Sequence, residues 1–318
     1  MTAPLKPLKH IVVGQRDLEE PASVPPAALH LAQAHDAQVH LVHVAPKLPV
    51  RFWYDAPLSP QELHDTLVEV RTERLTPLVE QLNDAGVRAR CVVRVGSPHI
   101  ELIKEAASVD ADLIMVRDEP QPGDSELGFG TVTQKLLRIS ARPVLAVRGD
   151  QAWKPQKIMA AIDVDPWKGE GNDLNRSILQ HAARLAHFAG CGLHVVHVWK
   201  IWGEHLLRSR GHLTPTEVDA LRQNAEDRCR ATMESLLADV ELDDVEVHLE
   251  LVRGEPDDAI PKTVHDAGVD LLVMGTVSRS GLAGLVIGNT AERVIHRIGC
   301  ALLAIKPPDF QSPVDMDP

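Results

Sequence analysis

The chain has 318 residues, of which 44% are hydrophobic and 25% charged, and its formal net charge is −12 at pH 7. This length suggests about two domains, and the composition is that of a soluble globular protein. The negative charge argues against a general nucleic-acid binder and against a protein that binds anionic membranes.

The N-terminus and the cysteines indicate a cytoplasmic protein. Residues 1–6 lack the apolar core of a signal peptide. No apolar run approaches the roughly 20 residues that a membrane helix needs. The four cysteines are scattered without a CxxC pair, which fits a reducing compartment and gives no zinc signature.

Strands and helices are predicted to alternate along the whole chain. In the first half, apolar β-branched runs predict strands at 10–14, 39–44, 89–95, 112–116 and 143–147, and helical spacing predicts helices at 25–35, 59–84, 97–107 and 131–140. The second half repeats this order, with strands at 158–162, 193–199, 245–252, 270–274 and 301–305 and helices at 175–189, 214–240, 254–267 and 289–298. Such an order predicts right-handed βαβ units and a parallel sheet that is covered on both faces.

Several motifs recur at a near-constant distance, which indicates a duplication. The pairs are Gly96 and Gly254, Asp112 and Asp270, and Gly130 and Gly288, each 158 residues apart, and the His-x-x-His runs that begin at His40 and His194, 154 apart. We therefore predict two domains, residues 1–150 and residues 151–318, joined by a linker near residues 149–157.

The stretch from Val273 to Arg293 is the most informative. It leads from an apolar strand into a helix, and four glycines lie between, Gly275, Gly281, Gly284 and Gly288. Glycine lets the backbone approach a ligand closely, and the start of a helix offers N–H groups, so this loop is suited to hold a phosphate. The alternative is a loop that only joins a strand to a helix.

Taken together, these segments resemble the universal stress protein family. The residues that carry the resemblance are Asp163 after a strand, His197-Val198 at the end of the next strand, Leu251-Val-Arg-Gly254-Glu-Pro256, and the loop from Gly275 to Asn289. The resemblance covers essentially the whole chain as two tandem copies, and the second copy is the clearer one. It implies two doubly wound, Rossmann-like α/β domains, each a five-stranded parallel sheet of strand order 3-2-1-4-5.

The resemblance also implies a binding site in the second domain. For ATP-binding members it would place phosphate contacts at Gly275, Ser278, Gly288, Asn289 and Thr290, an acidic contact to the ribose or adenine at Asp163, and a main-chain contact to the adenine at Val198. Two positions depart from the family pattern. Ser278 replaces the second glycine of the loop, and Asn289 replaces the first Ser/Thr.

The function that the resemblance implies is a non-enzymatic, cytoplasmic stress-response protein that supports resistance to stress such as DNA damage. The alternative is an adenine-nucleotide (ATP or AMP) sensor or weak ATPase that uses the second domain.

The first half has lost parts of this pattern. Arg117 and Pro120 stand where the second half has Gly275 and Ser278, and proline has no N–H to offer a phosphate. An arginine, Arg16, stands at about the position of the acidic residue of the second half. We expect a degenerate, structural copy without nucleotide. The alternative is that the two arginines bind another anion.

No catalytic or metal-binding residue is predicted. The histidines of each His-x-x-His run lie three apart on a strand and therefore point to opposite faces, so they cannot chelate one ion together. We expect their ring nitrogens to be hydrogen-bonded within the sheet. The sequence also lacks HExxH, a P-loop and a Gly-x-Ser-x-Gly elbow.

Contacts beyond a single domain are expected at two places. The last strand of each half, 143–147 and 301–305, would be an exposed apolar edge, and the resemblance implies that such edges pair. We expect them to meet as a pseudo-dimer within the chain, with a homodimer and unknown protein partners left open. The insertion 201–212 belongs to the second half alone. We expect it to form a short helix over that half, and the alternative is a cover for an apolar or nucleotide-sugar ligand.

Overall fold

The computed structural model describes residues 5–16, 18, 24–47, 59–118, 128–148, 153–164, 173–201, 203, 214–242, 244–277 and 287–316. Within them, strands and helices alternate as the sequence predicts. The first half holds β1 (His10–Gly14), α1 (Pro26–His35), β2 (Gln38–Ala45), α2 (Pro60–Asp84), β3 (Ala89–Val95), α3 (Pro98–Ser108), β4 (Leu113–Asp118), α4 (Thr131–Ile139) and β5 (Val144–Arg148). The second half holds β6 (Lys157–Ile162), α5 (Asp173–Ala189), β7 (Gly192–Trp199), α6 (Pro215–Ala238), β8 (Val247–Arg253), α7 (Pro256–Asp266), β9 (Leu271–Gly275), α8 (Asn289–Ile295) and β10 (Ala301–Ile305).

Capping boxes begin the two long helices in the same way. The Ser59 hydroxyl accepts from the N–H of Glu62 at 3.2 Å, and the Glu62 carboxylate accepts from the N–H of Ser59 at 2.8 Å. Thr214 and Glu217 repeat this exchange at the start of α6, with distances of 3.3 and 2.7 Å. Each box satisfies two backbone donors that a helix start leaves open, so both helices begin at a defined residue.

The ten strands form one sheet of order β3-β2-β1-β4-β5-β10-β9-β6-β7-β8. Each half therefore has the order 3-2-1-4-5, and every strand pair within a half is parallel. The predicted fold class is confirmed. In the second half, β6 lies between β7 and β9, so the carboxyl ends of these three strands lie side by side at one edge of the sheet.

The two halves are joined through their last strands. β5 and β10 pair in antiparallel fashion, with Leu145 opposite Leu303. These two side chains are 0% and 1% exposed. The expectation that the apolar edges meet within the chain is confirmed, and the pairing removes an edge that would otherwise invite association with other strands.

Both faces of the sheet carry a hydrophobic core that runs through the two halves. One face buries Ile11, Leu41 and Ile158 among the side chains packed against α1, α2, α5 and α6. The other face buries Ile114 and Leu302 among those packed against α3, α4, α7 and α8. Because each core contains residues from both halves, neither half buries its apolar surface alone.

Equivalent aspartates show the duplication at the level of single hydrogen bonds. The Asp112 carboxylate accepts from the N–H groups of Lys9 and His10 at 2.6 and 3.0 Å, which ties the start of β4 to the start of β1. Asp270 accepts from the N–H groups that precede and begin β6, at 2.7 and 2.9 Å. The same side chain thus holds the same pair of strands in each half. Within the described residues, no helix is long and apolar enough to cross a membrane.

Candidate functional site

Asp163 lies directly after β6, at the edge where strand order reverses. Its side chain is exposed, and its main chain is held by the buried side chain of Asn175. The Asn175 side-chain oxygen accepts from the N–H of Asp163 at 3.1 Å, and its amide nitrogen donates to the Asp163 carbonyl at 2.8 Å. The exposed carboxylate is therefore presented from a fixed backbone, with α5 as its support.

The end of the neighbouring strand β7 is packed more tightly. Val198 is 8% exposed, and the ring of His197 is buried beside it. The His197 Nδ1 lies 3.2 Å from the Ile162 carbonyl and 3.4 Å from the N–H of Val164. The histidine thus links the ends of β6 and β7 and places Val198 close to the Asp163 segment. The adenine contact that the family resemblance implies for Val198 stays a prediction.

Gly275 is the last residue of β9, and a side chain at this position would point toward α5. A Cβ atom built on Gly275 would lie 2.8 Å from Leu174 Cδ2 and 3.4 Å from Ile178 Cδ1. The absence of a side chain thus lets α5 pack closely on the strand end. The next residue, Thr276, is 0% exposed, and its hydroxyl donates to the Leu137 carbonyl of α4 at 3.3 Å.

The start of α8 holds the other predicted phosphate contacts. The N–H of Gly288 donates to the Thr276 carbonyl at 3.0 Å, and Val277 and Ile287 form an isolated antiparallel bridge. Asn289 and Thr290 are exposed in the first turn of the helix. Ser278 lies outside the described residues. Backbone hydrogen bonds thus hold together the two ends of the loop between β9 and α8, and the N–H of Gly288 is used within the chain.

In the first half, a carboxylate of the chain itself lies at the corresponding place. Asp118, at the end of β4, stands 158 residues before Thr276 and is 3% exposed. One of its carboxylate oxygens, Oδ1, accepts from the N–H of Gly130 at 2.8 Å and from the hydroxyl of Thr133 at 2.7 Å. The donors at the start of α4 are therefore satisfied by an internal anion. This feature supports the expectation of a first half without nucleotide.

Asp118 was not among the predicted site residues, because only the positions of the family's loop glycines were compared between the two halves. Placing the two halves at the 158-residue offset would have set an aspartate against a threonine and shown the added charge. The arginines proposed as an alternative anion site are Arg16, which is exposed after β1, and Arg117, which is half-buried in β4. Pro120 lies outside the described residues.

Both halves of the chain match one family of known proteins. Residues 7–148 and residues 155–306 each match the model of the universal stress protein family. The chain belongs to the universal stress protein family. Both matches cover a complete unit of five strands, so the tandem arrangement of the family unit is shown as well.

Relatives of known name are universal stress proteins of similar length. Universal stress protein E of Salmonella typhi is 27% identical over 267 residues, which cover 82% of each chain. A universal stress protein of Mycolicibacterium smegmatis is 24% identical and covers 93% of this chain and 97% of its own. The second-half runs Gly275–Gly281 and Ile287–Glu292, with Ile305–Pro307, also look most like universal stress protein E, and the relatives agree.

Solved structures share the fold over nearly the whole chain. A functionally unknown protein from Pseudomonas aeruginosa PAO1 superposes with a TM-score of 0.69 at 24% identity, covering 95% of this chain and 94% of its own. A universal stress protein from Archaeoglobus fulgidus gives a TM-score of 0.63 at 18% identity, covering 93% and 98%. At these identities the similarity shows the tandem universal stress fold.

Three of the four histidines in the His-x-x-His runs are hydrogen-bonded as predicted, namely His40, His43 and His197, whereas the ring of His194 lies against that of His248 with 4.9 Å between their centres. His40 accepts from Arg90 Nε at 2.7 Å and lies 3.2 Å from a ring nitrogen of His10. The His43 Nδ1 lies 2.9 Å from the Gln15 carbonyl. Burial lowers the pKa of His40 to about 4 and lowers the pKa of His43, so both rings are neutral near pH 7. In the part of the chain that the structure describes, no group of three histidines, cysteines or carboxylates could hold a metal ion.

Two cations lie at the ends of the last strands of the two halves, half-buried Arg148 and buried Lys306, and neither was predicted as a site residue. Arg148, the last residue of β5, donates to the Gly128 carbonyl, and its guanidinium carbon lies 4.4 Å from the centre of the Phe129 ring. Lys306 stands 158 residues later, is 7% exposed, and has its ammonium 4.8 Å from the centre of the Phe310 ring. The insertion 201–212 lies almost wholly outside the described residues, so the expectations for it stay predictions.

Proposed function

We propose that this tandem universal stress protein is a non-enzymatic, cytoplasmic stress-response protein that supports resistance to stress such as DNA damage. It acts through the molecules and proteins that it binds. The family match over both halves and the similarity to universal stress protein E support the stress role.

The backbone donors at the two helix starts support binding rather than catalysis. Transfer of a phosphoryl group is accelerated by donors that are oriented toward the charge of the transition state. The N–H of Gly130 donates to the Asp118 carboxylate at 2.8 Å, and the N–H of Gly288 donates to the Thr276 carbonyl at 3.0 Å. Because both donors are used within the chain, neither of these two N–H groups is oriented toward a transferred phosphoryl group.

A deletion strain tests the stress role. Loss of the protein is expected to lower survival after DNA damage or another stress, and the full chain supplied in trans is expected to restore it. Unchanged survival under every stress applied would contradict the proposal.

An ATPase assay tests the non-enzymatic role. The purified protein is expected to release no phosphate from ATP above the buffer rate, and sustained turnover would contradict this role.

The alternative is an adenine-nucleotide sensor in the second half, and the exposed carboxylate of Asp163 favours it. A carboxylate at the switch point of a doubly wound sheet can accept hydrogen bonds from ribose hydroxyls or an adenine amino group. For its phosphates to reach the start of α8, the Gly288 N–H would exchange the Thr276 carbonyl for a phosphate oxygen.

Thermal unfolding with ATP or AMP tests this alternative. A sensor is expected to show a nucleotide-dependent rise in Tm that is lost in Asp163→Ala and in Gly288→Val. The matched control is Gly130→Val, which changes the equivalent glycine of the first half and is expected to keep the nucleotide-dependent rise. No shift in Tm at saturating ATP would remove the sensor function and leave the non-enzymatic stress role standing.

A further inference from the structure

A cavity of about 350 Å³ lies at the amino ends of the first three strands of the first half. His10 begins β1, Asp36 directly follows α1, and Arg88 directly precedes β3. The lining of this cavity, called the amino-edge pocket below, includes Leu8, Lys9, His10, His35, Asp36 and Arg88. Because Asp163 and the start of α8 belong to the second half, the amino-edge pocket is separate from the nucleotide site proposed above.

The second half does not repeat the chemistry of the amino-edge pocket. The strand registers and the helix ends set the correspondence between the two halves. In place of Lys9, His10, His35, Asp36 and Arg88 the second half has, in this order, Gln156, Lys157, Ala189, Gly190 and Glu246. Asp36 has a φ of 52°, close to the 68° of Gly190, so the first half keeps a carboxylate where the turn favours glycine. The polar groups of the pocket are therefore a property of the first half and not of the shared fold.

A chain of hydrogen bonds makes the ring of His10 a donor. Arg90 Nε, which can only donate, lies 2.7 Å from His40 Nδ1. The neutral ring of His40 therefore carries its proton on Nε2, which lies 3.2 Å from His10 Nδ1. His10 Nδ1 must accept this proton, so the proton of His10 itself is on Nε2. The His10 ring thus lines the pocket with its proton position already set.

A buried carboxylate orients this chain from its far end. Glu105 on α3 is 2% exposed, and it accepts from Arg90 at 3.0 Å and from Arg94 as well. The donor of His10 is therefore held by groups on β1, β2, β3 and α3. Donors that are held in one orientation before binding lose little conformational freedom when a ligand arrives.

Two buried residues give the amino-edge pocket an inner part without charge. Leu8 and His35 are each 3% exposed. The N–H of Leu8 donates to His35 Nδ1 at 3.3 Å, so the ring of His35 carries a single proton and is neutral. This part of the pocket suits an apolar group.

The charged groups of the lining are Lys9, Arg88 and Asp36. Arg88 Nη2 donates to the Asp36 carbonyl at 2.7 Å and lies 3.5 Å from the Asp36 carboxylate, which holds the guanidinium at the pocket and leaves its other nitrogens for a ligand. Two cations and one carboxylate leave one net positive charge. This charge suits a monoanion better than a polyanion, and the planar guanidinium matches the geometry of a carboxylate.

We propose that the amino-edge pocket binds a small organic carboxylate with an apolar body. Arg88 and Lys9 bind the carboxylate by charge, the Nε2 proton of His10 is donated to one of its oxygens, and the body lies against Leu8. The volume is at the lower end of those that hold small molecules. This site goes beyond the stress role and does not depend on the nucleotide sensor.

NMR of the full chain with ¹⁵N-labelled histidine tests the site, with 4-methylpentanoate as the probe at constant ionic strength. The Nε2 signal of His10 is expected to shift saturably, and that of His194 in the second half to stay unchanged. Arg88→Glu, which introduces the residue of the second half, is expected to weaken binding about tenfold or more. Lys262→Glu makes the same change of charge at an exposed position of α7 and is the matched control. Equal affinity in the two variants overturns the proposal.

The same spectra read the proton positions in the unaltered protein, which covers a variant that does not fold. His10 and His40 are both expected to carry the proton on Nε2. A proton on Nδ1 of His10, or a His10 signal that no concentration of 4-methylpentanoate changes, overturns the proposal.

Related probes separate the classes of ligand. Leucine keeps the carboxylate and the branched body and is expected to bind, whereas 3-methylbutylamine keeps only the body and is expected not to bind. If leucine binds more tightly than 4-methylpentanoate, the excess is expected to disappear in Asp36→Gly, which supports a contact between its ammonium group and Asp36. Binding of the amine but of neither acid, or equal binding of phosphate, overturns the carboxylate site.

A competition experiment distinguishes this site from the nucleotide sensor. Saturating ATP is expected to leave the titration with 4-methylpentanoate unchanged, and so is Asp163→Ala. Loss of carboxylate binding in Asp163→Ala would assign the probe to the second half and overturn the amino-edge site, whereas failure of ATP to bind would remove the sensor alone.

Discussion

Asp118 and Thr276 stand at the same place after equivalent strands, and their side chains give the two halves different charges. The aspartate is 3% exposed and binds the N–H of Gly130 and the hydroxyl of Thr133. The threonine is 0% exposed and binds the Leu137 carbonyl of the other half. The first half thus has a buried negative charge at this place, whereas the second half has a neutral side chain that bonds to the other half.

Replacing Asp118 is expected to destabilise the protein. Asp118→Ala leaves the N–H of Gly130 and the hydroxyl of Thr133 without their acceptor and removes the negative charge near Arg148, which costs about 3 kcal/mol. Urea unfolding followed by circular dichroism measures the loss in free energy. The control is Asp84→Ala, an exposed carboxylate at the end of α2, which is expected to change stability little. Equal effects of the two changes would show that the internal anion contributes nothing.

Gly275 is expected to be required for helix packing. A Cβ at this position would lie 2.8 Å from Leu174 Cδ2, so Gly275→Ala is expected to cost about 1–3 kcal/mol. Trimming the neighbour in the double variant Gly275→Ala, Leu174→Ala removes the clash. The coupling free energy in a double-mutant cycle is then expected to be favourable by about 1 kcal/mol or more. Strict additivity of the two changes would indicate that the glycine serves another purpose, such as close approach of a ligand.

At the scale of elements, α1 and α5 meet across the boundary between the halves. His35 of α1 is 3% exposed, and its ring centre lies 3.9 Å from that of Phe188 on α5. Burial first, and then the charges of Arg184, His30 and His187, lower the pKa of His35 to about 4, against a raising effect of Asp112. The contact is therefore built for a neutral imidazole.

This contact predicts a loss of stability in acid. The folded-state pKa of His35 lies below its ordinary value of 6.5, so the unfolded chain binds more protons between pH 6.5 and about 4. The contribution is full above pH 6.5 and is lost as the pH falls toward 4, by about 3 kcal/mol at most. His35→Gln is expected to flatten the pH dependence of the unfolding free energy, whereas His64→Gln on the exposed face of α2 leaves it unchanged. Identical slopes in all three proteins would contradict this.

The order of elements could be predicted from the sequence, whereas their side-chain chemistry could not. Apolar runs and helical spacing depend on burial within one element, and they located each strand and helix to within about three residues. The Asp118 hydrogen bonds and the burial of Lys306, whose ammonium has no hydrogen-bond partner among the described residues, depend on contacts between different strands and helices. Those contacts join residues that are far apart in the chain, and the hydrophobic periodicity of a single strand or helix gives no information about them.

On the scale of the whole molecule, the ten-stranded sheet joins two family units into one body. The antiparallel pair β5–β10 connects them, and each hydrophobic core contains residues from both. The repeat at 158 residues predicted the duplication, whereas the pairing of the last strands was expected from their apolar edges and from the resemblance to the family. The shared cores could not be read from either half alone, because they form only when the two units meet.

The full chain is expected to unfold in a single cooperative transition, because opening one half exposes the core of the other. Circular dichroism and tryptophan fluorescence during urea unfolding are expected to give coincident curves. Trp199, which is 8% exposed at the end of β7, reports on the second half. Two separated transitions would contradict the shared cores and show that the halves are independent.

The stoichiometry of nucleotide binding tests the difference between the two halves most directly. In the first half the Asp118 carboxylate accepts from the N–H of Gly130, whereas a neutral threonine, Thr276, stands at the equivalent place in the second half. If the sensor function holds, calorimetric titration of the full chain with ATP is expected to give one site per chain, which is lost in Asp163→Ala and kept in Gly130→Val. Two equivalent sites per chain, or one site that Asp163→Ala leaves intact, would contradict the account.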